Sequence, residues 1–179
     1  MSRIPAIHPE TASATVAPLL EGVRKGLGVT PNLFRVAAQS PAALQAMVSF
    51  FGAVAQGSFD ARTREAIALA VSEANACDYC LSAHTALGKG AGLDERAIAD
   101  ARVATSDDRR RAALLRLARA TVDHRGRVGG ALDEARREGL SDADVVEAVA
   151  NVALTIFTNY LNELAGTDID FPVVRHHPR

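Results

Sequence analysis

Two cysteines are the whole thiol content of this chain of 179 residues, and tryptophan is absent. So little cysteine excludes a disulfide-stapled scaffold of the kind small secreted domains use. Two tyrosines and six phenylalanines leave little material for a sandwich of aromatic-rich strands. Neither sign of charge dominates: 20 basic against 21 acidic residues give a net charge of −1. That balance supplies no basic face for nucleic acid. The charges alternate in sign along the chain and read as solvated helix surfaces. No apolar run approaches the roughly 20 residues that span a bilayer. The start, MSRIPAIHPE, has no apolar signal core, and Pro5 and Pro9 would interrupt one. A cytoplasmic protein with no membrane or nucleic-acid partner is expected.

What is plentiful is alanine, the best helix former, and the length allows a real core in one domain. Nearly every segment reads as helix, so the fold class is all-α. ATVAPLLEGVRKGLG has apolar residues at helical spacing and ends at glycines. TPNLFRVAAQ offers Thr30 as N-cap and Pro31 as first helical residue, and SPAALQAMVSFFGAVAQG repeats the device with Ser40 and Pro41. DARTREAIALAVSEANA starts at Asp60, and Ile67, Ala70, Val71 and Ala74 share one face. DERAIADARVA, SDDRRRAALLRLARATVDH and SDADVVEAVANVALTIFTNYLNELAG follow, with acids near their starts. The last of these is so apolar that it belongs either to the core or to a subunit interface. FPVV near the end is too short to carry a sheet. The expected domain is residues 1–179, with a motif core of about 40–125 and arms at 1–12 and 170–179 that pack on a neighbour or fray.

Both cysteines fall in EANACDYCLSAHTALGKGAGL, as Cys77 and Cys80, with His84 following. Asn75 and Ala76 read as a break, which puts Cys77 near a new helix N-terminus, where free N–H groups stabilise an anion. A thiol of ordinary pKa, about 8.5, is only a few per cent thiolate at neutral pH; in C-x-x-C at a helix start it can fall to roughly 3.5–7.5. Residues i and i+3 lie roughly 5–6 Å apart, which suits a disulfide. His84 shares a face with Cys80 and can accept or relay its proton. A carboxylate would orient the imidazole, and two compete. Glu73 lies on the same stripe if one helix runs unbroken from 73 to 84; Glu65 reaches the site only if the chain turns between 75 and 77.

Plainer readings exist for each feature. Most cysteines are small buried apolar residues. Zinc would have Cys77, Cys80 and His84 to use, but there is no second cysteine pair, and Cys77 and His84 are roughly 10 Å apart in helix rise. Such a site would need His124 or His8 brought in by folding. His176 and His177 read as a solvated tail. Tyr79 is either a donor into the site or a partly buried ring. GKGAG lacks the spacing of a phosphate loop and reads as a helix end. The arginines at 109–111 read as a solvated helix start.

REAIALAVSEANACDYCLSAHT resembles the core motif of the carboxymuconolactone decarboxylase and alkylhydroperoxidase D (AhpD-like) superfamily: a glutamate, an apolar helix, then C-x-x-C-x-x-x-H. VTPNLFRVAAQSPAAL before it and FTNYLNELAGTDIDFP after it are similar to the peroxidase-related subgroup. The resemblance implies an all-α fold assembled as dimers, trimers or hexamers, with the thiol site near subunit contacts. It implies a thiol-dependent hydroperoxide reductase in which Cys80 attacks the peroxide and Cys77 resolves the sulfenic acid and faces the reductant. By the same resemblance His84 and Glu65 form the proton relay, with Tyr79 and Glu73 in support. Tyr79 stands where the best-known peroxidase members have a histidine, which removes one proton carrier. The implied partners are a peroxide, a dithiol protein or small thiol as reductant, and further copies of the chain; no cofactor or metal is required. The other branch of the superfamily, acting on lactone acids, does not depend on a C-x-x-C pair. A non-catalytic helical oligomer is the remaining alternative.

Overall fold

The computed structural model describes residues 2–178. A 3-10 turn at Pro9–Thr11 precedes α1 (Ala17–Leu27), α2 (Asn32–Ala37), α3 (Pro41–Ala55), α4 (Ala61–Ala74), α5 (Asp78–Gly90), α6 (Glu95–Arg102), α7 (Arg109–Asp123), α8 (Ala131–Arg137) and α9 (Asp142–Ala165). Among the described residues there is no strand, so the fold is all-α as expected.

The starts of most helices follow from their capping residues. Ser40, Asp60, Asp94, Asp108 and Ser141 each accept a first-turn N–H, and Ser141 with Asp144 completes a capping box. The start of α2 differs from expectation. Pro31, not Thr30, is the capping residue and has no side-chain bond to give. The Asn32 N–H donates instead to Asp170 Oδ2 at 2.8 Å, an acceptor supplied from the far end of the chain. The helix α8 was not anticipated: it follows Gly129 and Gly130 and has no side-chain cap to announce it.

Helix α4 is the axis of the molecule. It packs against α5, α6, α7 and α9, and every residue from Ala66 to Ala74 is buried. Its alanines let neighbours approach closely. Among the described residues there are two apolar clusters, of which the first includes residues of α4. One gathers Ile67, Leu69, Leu81, Leu114, Leu115 and Val152; the other gathers Leu20, Leu33, Phe34, Leu44 and Met47 around Cys77, Tyr79 and Cys80. Helix α5 divides between them, with Leu81 facing the first and both cysteines the second.

Helix α9 packs against α3, α4 and α7 and buries Ala148, Val152, Leu154 and Ala165, but its inward face is mixed. Beside those apolar residues it also buries Asn151, Thr155, Thr158, Asn159 and Asn162, while Val146, Val149, Phe157, Tyr160 and Leu164 are exposed. The hydroxyls of Thr155 and Thr158 bond back to the Asn151 and Thr155 carbonyls, which satisfies them within the helix.

Both arms pack on their own chain. The Arg3 and Ile7 amides donate to the Ala165 and Arg35 carbonyls. In the tail, the Val174 N–H donates to Ser82 Oγ at 2.9 Å, Arg175 pairs with Asp78 at 2.7 Å, and the His177 N–H donates to Glu73 Oε1 at 2.7 Å. No described helix is long and apolar enough to cross a membrane.

Candidate active site

The break after α4 is made by Ala76, whose φ of 54° lies in the left-handed region. The chain reverses there, so α4 and α5 form a hairpin. Cys77 becomes the N-cap of α5, its sulfur accepting the Cys80 N–H at 3.4 Å. Both cysteines are free thiols. Because the chain reverses, a single stripe from Glu73 to His84 does not exist. The hairpin instead brings Glu65 to His84: Nδ1 and Oε2 are 2.7 Å apart. A carboxylate only accepts, so Nδ1 carries the hydrogen and Nε2 is left for the cavity beside it. Close contact between the helices at Gly88 supports this pairing, since a Cβ there would sit 3.7 Å from Glu65 Cβ.

Glu73 is engaged elsewhere. It pairs with Arg102 at 2.7 Å and accepts the His177 N–H, holding the tail rather than the imidazole. Burial pushes its carboxyl up, but the His177 N–H and the Arg102 guanidinium outweigh that and hold it below the usual range. The Tyr79 hydroxyl donates to Asp170 Oδ1 at 2.8 Å and accepts the Leu33 N–H at 3.1 Å. It therefore ties α5 to α2 and the C-terminal segment, although its ring also lines the cavity. His8 bonds Arg35, and His124 caps the end of α7. Among the described residues no group of three His, Cys, Asp or Glu side chains is placed to hold a metal ion.

The sequence reading missed one neighbour of the thiol. Asn162, on α9, donates its Nδ2 hydrogen to Cys80 Sγ at 3.2 Å. Its own Oδ1 is buried with no partner, so the amide is held with one half unsatisfied. Asn159, one turn earlier, bonds Ser72 and Asn75 and so anchors α9 to the end of α4.

These contacts set the charge state of the site. Burial pushes the Cys80 thiol up. The Cys77 hydrogen bond, the positive charge of His84 and the amides of Asn162 and Asn159 outweigh it and bring the thiol down to about 7. Cys77 moves the other way, raised by its bond to Cys80 and by burial. The proton of the pair therefore resides on Cys77. Burial also pulls the His84 imidazole down, but the charge and hydrogen bond of Glu65, with the neighbouring Cys80, raise it overall. Each shift favours the charged form of its group, the thiolate of Cys80 and the imidazolium of His84.

Cys80 lies at the wall of a cavity of about 460 Å³, between α1, α2, α3, α4, α5 and α9. Val23, Leu27, Phe34, Phe51 and Phe171 make the lining largely apolar, while Arg64, Glu65 and His84 are its charged members. Cys77 has no exposed surface and does not line the cavity, which contrasts with the implied role of facing a reductant.

Residues 41–123 match the model of the carboxymuconolactone decarboxylase family. No curated protein matches the sequence. The fold is similar to that of the AhpD-core, peroxidase-related protein from Ralstonia eutropha JMP134, with TM-score 0.82 and 22% identity over 94% of this chain and 92% of the other. A peroxidase-related protein from Silicibacter sp. TM1040 gives TM-score 0.79 and 20% identity over 92% and 88%. A cysteine-to-alanine variant of the debrominase Bmp8, in complex with 2,3,4-tribromopyrrole, gives 0.81 and 22% over 93% and 91%. The family match covers the hairpin that carries Cys77, Cys80, His84 and Glu65, and across nearly the whole chain the fold is similar to that of the AhpD-core protein.

Proposed function

We propose that this chain is a thiol-dependent hydroperoxide reductase, with Cys80 as the attacking thiol and Cys77 as the resolving one. One observation carries the reading: Cys80 Sγ borders an apolar cavity while an amide and an imidazole–carboxylate pair favour its thiolate. In the proposed cycle the Cys80 thiolate attacks the terminal peroxide oxygen. The S–O bond forms as the O–O bond breaks, and the leaving alkoxide takes a proton from His84, which Glu65 holds in place. An alcohol departs and Cys80 becomes the sulfenic acid. Cys77 then attacks the Cys80 sulfur, losing its proton and expelling hydroxide, which leaves as water. A dithiol takes over the oxidation, forming its own disulfide and returning two electrons and two protons to the pair. No metal, flavin or haem enters this sequence.

We take the whole chain as one domain working in the reducing cytoplasm, where the pair rests as the dithiol. The homo-oligomer that the resemblance implies has an apolar face to use, the outer stripe of α9 from Val146 to Leu164.

The test is rapid mixing with cumene hydroperoxide. Two thiols per chain should disappear for each cumyl alcohol formed. Cys77→Ser should instead accumulate sulfenic acid, and Cys80→Ser should consume nothing. Thiols left untouched by peroxide would bring back the lactone-acid and structural readings. The debrominase fold match favours a second reading on the same aromatic-lined cavity. There the Cys80 thiolate would take bromine from an aromatic carbon, the carbanion would be protonated, and Cys77 would expel bromide to give the same disulfide. Bromide release from a bromopyrrole in the presence of a dithiol distinguishes it.

A further inference from the structure

Arg64 lines the cavity, yet its charge is unanswered. Nη1 donates to the Phe59 carbonyl, and among the described residues no carboxylate comes within ion-pair distance of the guanidinium. The nearby acids are committed: Glu65 to His84, and Glu147 to Ser58 and the Phe59 N–H. A part-buried guanidinium facing apolar walls is costly unless an anion joins it.

Its position is also defined. Arg64 leans toward the start of α4, because its bond goes to Phe59, before that helix begins. Its chain neighbour Glu65 is level with Gly88 of α5. From Cys80 to Gly88 the helix rises roughly 12 Å at 1.5 Å per residue. The backbone that carries Arg64 therefore lies near the Gly88 end of α5, while Cys80 lines the same cavity from the start of that helix. Val23, Leu27, Phe51, Val54 and Leu87 supply apolar wall. A volume of about 460 Å³ is far larger than hydrogen peroxide needs and lies in the range of organic-ligand sites.

We infer that the cavity takes an amphipathic organic hydroperoxide carrying a carboxylate, with the acid on Arg64 and an alkyl or aryl body of medium length reaching Cys80. This rests on the hydroperoxide-reductase reading for its chemistry, but the binding itself can be measured apart from it. In Cys80→Ser, which cannot react, decanoate should bind roughly tenfold more tightly than methyl decanoate, as expected of a charge-assisted pair. Adding Arg64→Gln should erase that difference, and Arg64→Lys should keep part of it. In the wild type, kcat/KM for linoleic acid hydroperoxide should exceed that for its methyl ester, and Arg64→Gln should bring the two together. Equal binding of acid and ester in Cys80→Ser, or discrimination that survives Arg64→Gln, would overturn the inference. Decanoate discrimination without peroxide turnover would leave the carboxylate site standing and remove the reductase reading instead.

Discussion

At Asn162 an amide bonds the Cys80 sulfur from another helix. Its N–H suits a thiolate better than a thiol, and hydrogen bonds to charged groups contribute about 1.5–3 kcal/mol. Asn162→Ala should therefore raise the Cys80 midpoint from about 7 by about one unit. Because the thiolate is the attacking form, its reaction with peroxide rises with pH through that midpoint. At neutral pH the variant should react several-fold more slowly and regain its rate at higher pH, as a stopped-flow pH profile would show; an unshifted profile would contradict this. The sequence shows Cys77, Cys80 and His84 together because helical spacing is local. It leaves Glu65 and Glu73 open because the choice depends on one turn. It gives no sign of Asn162, which meets Cys80 across 82 residues of chain.

At the scale of elements, the turn at Ala76 is what brings Glu65 to His84. A non-glycine residue at φ 54° costs roughly 1–2 kcal/mol, and glycine removes that strain while adding freedom to the unfolded chain. Ala76→Gly should be neutral to about 1 kcal/mol more stable in urea denaturation, with the thiol midpoint unchanged. Ala76→Val, whose branched side chain resists this conformation, should be less stable than wild type; a stability gain with valine would contradict the account. Most helices were legible because their caps lie beside them, as at Ser40, Asp60 and Ser141. The start of α2 was not, since Asp170 supplies its acceptor from the other end of the chain, and α8 has only glycine before it. Hydropathy marked α9 as apolar but not which residues turned inward, and the inward face proved to mix Asn and Thr side chains with Ala148, Val152 and Leu154.

Over the whole molecule, the two ends and α9 decide what the chain shows to its surroundings. The tail is held by Glu73, which is buried and pairs with the part-buried Arg102. Glu73→Ala leaves that guanidinium unpaired and should cost about 3 kcal/mol, with faster hydrogen exchange at the Val174 and His177 amides. Since Glu73 is held below its usual range, the tie is present above the unfolded carboxyl pKa and is lost as pH falls through the lower folded value. On α9 the outer stripe includes Val146 at 71% and Leu164 at 64% exposure. If copies meet there, the wild type sediments as an oligomer and Val149→Glu with Leu164→Glu as a monomer; a monomeric wild type removes that proposal. The central claim is that Cys80 is a stabilised thiolate that peroxide consumes. The most direct measurement is ultraviolet thiolate titration of wild type against Cys80→Ser, repeated after one equivalent of cumene hydroperoxide. The account predicts a step near pH 7 that is missing from Cys80→Ser and abolished by the peroxide. A wild type whose thiols titrate only above about pH 8.5, or whose step survives the peroxide, would contradict it.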